Sequence, residues 1–282
     1  MEDQRYQGYE CIRIRIDGGV CFATFDHPPI NLLDLPLMQE MDRLGRELEA
    51  DDRIRVVVFD SADPEFFIAH ADVSFIQQLP DDVPPRGDEL FFFHAMVDRF
   101  RTMSKVSIAK IEGRARGGGS EFVLSLDMRF AALGKAVLAQ PEVALGIIPG
   151  GSGTQRLPRL CGRGRALEIV LGCQDIPADV AERYGYVNRA LPAGEIDAFV
   201  TNLALTIASF PAEAIALAKQ CVISAEAGVI DGLLDEAHAF NKTLPLPETK
   251  RRMAEFLANG GQTREVEMED LGPLLRAFAD KR

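Results

Sequence analysis

The chain is short of positive charge. Its 282 residues carry 31 Lys and Arg against 43 Asp and Glu, a net charge of −12. A nucleic-acid partner demands the opposite balance, so none is expected. Five cysteines (Cys11, Cys21, Cys161, Cys173, Cys221) form no CxxC pair, and no His/Cys cluster has metal-ligand spacing. Neither a zinc site nor a disulfide framework is expected, and free thiols point to a reducing compartment. No apolar segment approaches the length of a membrane span. The first residues, Met-Glu-Asp-Gln-Arg-Tyr, lack the apolar run of a signal peptide and are too acidic for a transit peptide. The expectation is a cytoplasmic protein with no membrane partner. Nucleotide motifs are missing as well: there is no GxGxxG, and no Lys-Ser/Thr follows a glycine loop. Gly150-Gly-Ser-Gly-Thr154 lacks the final glycine of a serine-hydrolase elbow and follows no clear strand.

What is present is enough apolar sequence for a large core, at 47%. Cys11–Ile16 and Val20–Phe25 read as strands joined by the hairpin signal Asp17-Gly-Gly19. Leu37, Met41, Leu44 and Leu48 fall at helical spacing. Ile54–Phe59 is a β-branched strand, Pro80–Gly87 a loop, Asp88–Met103 a helix and Val106–Ile111 a strand. A helix over Gly119–Asp127 and strands over Met128–Leu133 and Val137–Ala139 follow. The rhythm is strand–strand–helix without a clean internal repeat. From about Gly194 the sequence turns helical and rich in Ala and Leu: 196–209, 211–227, 229–241 and 247–258, with a short last helix over 273–279.

Charge is unevenly spread. Ser104–Arg165 holds ten basic and four acidic residues, +6 locally and −18 over the rest. Such an island suits an anionic ligand, and scattered solvated arginines produce the same count. Within it lie two glycine-rich turns, each tied to one apolar-flanked glutamate. The first is Gly113-Arg-Ala-Arg-Gly117-Gly-Gly-Ser-Glu121, and the second Ala139-Gln-Pro-Glu142-Val-Ala-Leu-Gly146-Ile-Ile-Pro-Gly150-Gly-Ser-Gly-Thr-Gln-Arg156. Glycines let a ligand approach the backbone and leave N–H groups free to donate. A carboxyl in apolar surroundings has a raised pKa, which suits proton transfer near neutral pH. A backbone donor with two such carboxyls can stabilise an enolate.

These runs, with the upstream Phe67-Ile-Ala-His70-Ala-Asp72-Val73, resemble the enoyl-CoA hydratase (crotonase) superfamily over roughly residues 10 to 258. The resemblance implies an α/β fold, a spiral of ββα units over 1–195 that binds acyl-CoA. A helical region over 196–282 would serve trimerisation and cover the active site. It implies a lyase of fatty acid metabolism that adds water to a 2-enoyl-CoA. Coenzyme A would enter only as part of the substrate, with no other cofactor and no metal, in a homotrimer or hexamer. By motif position the oxyanion donors are the Ala71 and Gly118 amides. Glu121 would act as base toward water, and Glu142 would handle the α-carbon proton. Ala69, His70, Asp72, Val73, Asn31, Gly117 and Gly150 fall at substrate-binding positions. Members that only move a double bond often keep one glutamate. Dienoyl-CoA isomerases carry a further carboxylate where Gly150 stands, so hydration is preferred. Isomerisation, other enolate chemistry or a catalytically silent acyl-CoA-binding subunit are the alternatives.

The sequence also departs from the family. His70 replaces a glycine, as a polar contact to the acyl group or a packed side chain. Ser74 replaces a lysine that assists CoA binding. Arg114 and Arg116 stand where small or apolar residues are usual, either to meet an anionic group or to sit at the surface or a subunit contact. Asn31 could equally be a turn residue. Asp127 is read as a helix cap or an arginine's partner, and His27, His94 and His238 have no constellation around them. Beyond Gly260-Gly261 an extension would cover a neighbouring subunit or stay mobile.

Overall fold

The computed structural model describes residues 4–80, 82–226, 228–269 and 271–277. The chain opens with the hairpin of β1 (Ile12–Asp17) and β2 (Val20–Phe25). Gly18 and Gly19 both take positive φ, 54° and 81°, as the tight two-residue turn between right-twisted strands requires. α1 (Leu35–Glu49) starts where the Asp34 side chain accepts from the Leu37 N–H at 3.0 Å, and it buries Leu37, Met41, Leu44 and Leu48.

Three strand pairs then follow: β3 (Val56–Ser61) with β4 (Phe66–Ile68), β5 (Val106–Ile111) with β6 (Arg114–Arg116), and β7 (Met128–Ala132) with β8 (Val137–Ala139). The first member of each pair joins one sheet and the second joins another. The first pair is followed by the helices α2 (Val73–Ile76) and α3 (Phe92–Thr102), the second by α4 (Gly118–Ser125). A 3-10 turn (Glu142–Leu145) and the helices α5 (Gly153–Cys161) and α6 (Arg163–Gly172) follow the third pair. After β9 (Ile176–Pro177), α7 (Ala178–Tyr184) and β10 (Arg189–Leu191), the large sheet runs β1-β2-β3-β5-β7-β10 and the small one β4-β6-β8-β9. Only the β1–β2 and β8–β9 pairs are antiparallel. The expected spiral of ββα units is the observed fold.

Both faces of the large sheet are buried at its central strands β2, β3, β5 and β7, and the pleat sorts their side chains. Cys21, Ala23, Phe25, Val57 and Phe59 face α1, α3 and α4; Val20, Phe22, Val56, Val58 and Ile108 face α8 (Ile196–Ala208). On the first side an aromatic cluster fixes α4. Phe122 meets Phe59 edge-on at 5.0 Å and Phe100 at 5.8 Å, and Phe25 meets Phe67 at 5.4 Å. Around this core stand α9 (Ala212–Ile223), α10 (Val229–Thr243), α11 (Pro247–Ala258), α12 (Arg264–Glu267) and α13 (Leu271–Ala277).

Several boundaries differ from the sequence reading. α3 begins at Phe92 rather than Asp88, and Arg86 in the preceding segment donates to Asp235 on α10. β6 lies inside what reads as a glycine turn; it is a strand because β4 and β8 flank it, with Ala115 fully buried between its two arginines. The last helix starts at Leu271, two residues before Pro273, and positions 278 and 279 lie outside the described residues. The four buried cysteines and the exposed Cys221 are all free. Among the described residues no single helix is long and apolar enough to cross a membrane, and no acidic, His and Cys group is placed to hold a metal ion.

Candidate active site

The small sheet assembles the site. β4, β6 and β8 run parallel, Phe66 opposite Arg114 and Arg116 opposite Ala139. Their ends therefore deliver Ala69-His70-Ala71, Gly117-Gly118 and Gln140-Pro141-Glu142 side by side. Gly117 turns with φ 49°, and a side chain there would come within 2.8 Å of the Glu142 carboxyl. A Cβ on Gly118 would stand 3.0 Å from Leu33 and 3.2 Å from the Ala71 Cβ. The missing side chain lets the two amides approach one another. Among the described residues the Ala71 N–H meets no protein acceptor. The Gly118 N–H opens α4, where a helix offers no internal partner. Two unengaged N–H groups thus share one wall of a cleft.

Glu121 lies one turn into α4 and Glu142 opens the 3-10 turn, both buried. Glu121 Oε1 accepts from the Gly151 and Gly153 N–H groups, each at 2.8 Å. Burial, then the charges of Glu142 and Glu236, push its pKa well above the carboxylate range; the two amides oppose that rise. Burial pushes Glu142 up to about 8, with Glu236 adding to the rise and His70 opposing it. The Glu142 Oε2 atom has no hydrogen-bond partner among the described residues. Glu121 accepts from two backbone amides and Glu142 only from its own, so the donors favour charge more at Glu121 and a proton shared by the pair is better held on Glu142.

Leu33, Met38, Phe75, Phe91, Phe93 and Phe240 line the cleft, about 630 Å³, together with both glutamates, Ala71, Gly118 and Gly150. Gly150 packs on the Phe240 ring, within 2.6 Å of where a Cβ would fall. A second lobe of about 410 Å³ branches off at Ala71, Gly118 and Glu142 and ends on Val73, Phe256, Leu271 and Leu275.

The extension beyond Gly260 folds back over this second lobe on its own chain. Gln262 accepts from the Val73 N–H at 2.7 Å and donates to Asp72 at 3.0 Å. His70 Nε2 meets Glu267 at 3.0 Å and His70 Nδ1 meets the Ala71 carbonyl at 2.8 Å. Both ring nitrogens are therefore engaged, and His70 is a packed side chain without left-handed backbone strain. Arg116, fully buried, grips Asp175 in a fork at 2.8 and 2.6 Å and donates to the Glu267 carbonyl at 3.0 Å. Arg114 donates to Glu65 at 3.2 Å and to the Met268 carbonyl. Neither arginine is a surface residue free to take up an anion; both fasten the extension.

The basic island is largely internal. Lys110 meets Asp60, Glu112 and Asp197, Arg156 meets Asp98, and Arg129 donates to the Leu126 and Tyr186 carbonyls. Asp127 pairs with Lys219 at 2.7 Å, a lysine rather than an arginine. Asn31 has φ 49° and braces β4, donating to Ser61 and to the Phe66 and Phe67 carbonyls. Asp72 caps α2 by accepting from the Ser74 N–H. Ala69 is bonded on both sides, its N–H to Ile30 and its carbonyl to Arg116. His27 pairs with Asp34. His94 does have a constellation: its Nε2 meets the buried Glu236 at 3.0 Å. Glu236, beside Asp235, and Glu267, within the acidic run 265–270, gave no signal among the motifs.

A family model described as enoyl-CoA hydratase/isomerase matches residues 15–260, ending two residues before Gln262. The chain is 33% identical to the short-chain-enoyl-CoA hydratase of Clostridium acetobutylicum, over 86% of this chain and 92% of that protein. It is 32% identical to the crotonyl-CoA hydratase of Syntrophomonas wolfei, over 88% and 95%. A solved Streptomyces avermitilis protein, provisionally described as an enoyl-CoA hydratase, is 39% identical. It superposes with a TM-score of 0.88, covering 97% of this chain and all of that one. With its strand ends, amides and paired glutamates in that order, the chain belongs to the enoyl-CoA hydratase/isomerase family.

Proposed function

We propose that the protein adds water across the double bond of a 2-enoyl-CoA thioester in fatty acid metabolism. The observation that carries this reading is the pairing of Glu121 and Glu142 in one buried cleft, opposite the two unengaged amides of Ala71 and Gly118. The thioester oxygen lies between the amides. As water adds to the β-carbon, negative charge moves onto that oxygen, where the donors stabilise it by about 3 kcal/mol each. Glu121 takes the proton from water and Glu142 delivers its proton to the α-carbon. Coenzyme A comes with the substrate, and no metal or further cofactor takes part.

The relatives' names support this substrate class, and the aromatic lining suits a short acyl group. The apolar, solvent-facing α9, with no buried residue of its own, supports assembly into a trimer or hexamer. The acidic surface and free thiols fit the cytoplasm. The test is loss of the conjugated thioester absorbance of crotonyl-CoA. The wild-type protein turns it over, and Glu121→Gln and Glu142→Gln each lower kcat by at least about a hundredfold. Activity that survives both changes overturns the reading.

A further inference from the structure

We infer that Glu236 is a positioning residue for the water-activating glutamate, holding from α10 the turn whose amides grip Glu121. This rests on the hydratase reading of the same site and goes beyond it. The evidence is an alternation along four consecutive residues. Gly151 donates its N–H to Glu121, Ser152 to Glu236, Gly153 to Glu121 and Thr154 to Glu236. The Thr154 hydroxyl and His94 Nε2 complete the set of donors on Glu236. A backbone that presents successive N–H groups to opposite sides is not a regular helix start, and Ser152 accommodates it with φ 110°. The turn is thus stretched between two carboxylates, one on α4 and one on α10.

Removing either anchor affects the other. Without Glu236, the amides of Ser152 and Thr154 and the His94 ring would be buried donors without an acceptor. The cheapest relief is rotation of the turn, which carries the Gly151 and Gly153 N–H groups away from Glu121. Space does not permit small adjustments at this point. A Cβ at Gly151 would fall 2.3 Å from the Phe93 ring and 2.6 Å from Glu121 Oε2. Among the described residues the His94 Nδ1 atom is buried without a partner, so Glu236 is the hydrogen-bond partner that orients the ring. Glu236 does not line the cleft.

Charge reinforces the geometry. The titratable groups facing Glu236 are His94 from α3, Glu121 from α4 and Glu142 from the 3-10 turn, and His70 acts on Glu142 in turn. Its negative charge disfavours ionisation of both Glu121 and Glu142. Removing it lets Glu142 ionise at lower pH, while at Glu121 the loss of the Gly151 and Gly153 donors works against that change.

The test compares wild-type protein with Glu236→Gln, which keeps the shape and loses the charge, and Glu236→Asp, which keeps the charge and withdraws it by one methylene. Hydration of crotonyl-CoA is followed across pH, and amide hydrogen exchange is measured in a peptide spanning 150–155. The expectation for Glu236→Gln is a kcat lowered by about tenfold or more with KM within about twofold. Its alkaline limb, set by Glu142, shifts to lower pH, and exchange over 150–155 is faster. Glu236→Asp loses kcat with smaller movement of that limb. Variants with kcat within twofold, an unmoved limb and wild-type exchange overturn the proposal, whatever their melting temperature. A wild-type protein without hydratase activity whose Gln variant still loosens 150–155 sinks the hydratase reading and leaves the positioning role standing.

Discussion

At the residue scale, the site divides proton duties between two carboxyls by what surrounds them. Glu142 must be protonated to act as donor, and its pKa is pushed up to about 8. The acid form is therefore full below that value and lost as pH rises through it. The expected kcat/KM profile falls on the alkaline side near pH 8, and Glu142→Gln removes that limb along with the activity. A profile flat from pH 7 to 10 would contradict this assignment. These two residues were legible in the sequence because each sits within a few positions of the glycines that define its motif. Glu236 and Glu267 were not, because nothing local distinguishes a buried acid in a helix from a solvated one. His94 read as isolated for the same reason: its partner lies 142 positions away. Asn31 and Asp72, placed at substrate positions by resemblance, spend their hydrogen bonds on the backbone that carries the oxyanion segment.

At the scale of elements, α4 is held from behind by aromatic packing and in front by its glycine entry. Phe122→Ala empties the centre of the ring cluster and is expected to cost about 3–5 kcal/mol, read as a lowered chemical-denaturation midpoint. The segment 262–275 behaves differently, since charge holds much of it. Burial opposes ionisation of both His70 and Glu267. Their mutual attraction, with the Ala71 carbonyl for His70 and the Gln262 amide for Glu267, outweighs it, raising His70 and lowering Glu267. The lowered Glu267 contributes stability above the ordinary carboxylate range and loses it as pH falls; the raised His70 contributes below its ordinary value and loses it as pH rises through the raised one. The segment is thus fastened most firmly from about pH 4.5 to 6.5 and loosens on the alkaline side. Limited proteolysis should cut within 260–275 faster at pH 9 than at pH 6, and His70→Asn should abolish that difference. Elements with their own periodicity, such as α1 and the long strands, could be read from sequence. β6 could not, because one alanine flanked by two arginines becomes a strand only between two others.

At the scale of the whole molecule, apolar side chains stand in solvent on one set of helices. Val222 is 74% exposed, Leu171 61% and Leu217 55%. A second and third copy of the chain would cover them, and light scattering should give a multiple of 31.0 kDa. Val222→Glu should shift the mass toward the monomer; an unchanged multiple would place the contact elsewhere. The net charge of −12 was informative in sequence, but the local basic excess was misleading, since most of it is consumed inside the fold. The folded-back C-terminal segment carries a further consequence, one of timing. His70 and Glu267 are 197 positions apart, and Asp72 and Gln262 are 190 apart. Closing so long a loop is entropically costly and comes after the local strand pairings that frame it. A molecule in which both sheets have already formed would still lack this brace on its oxyanion segment until the far end of the chain returns.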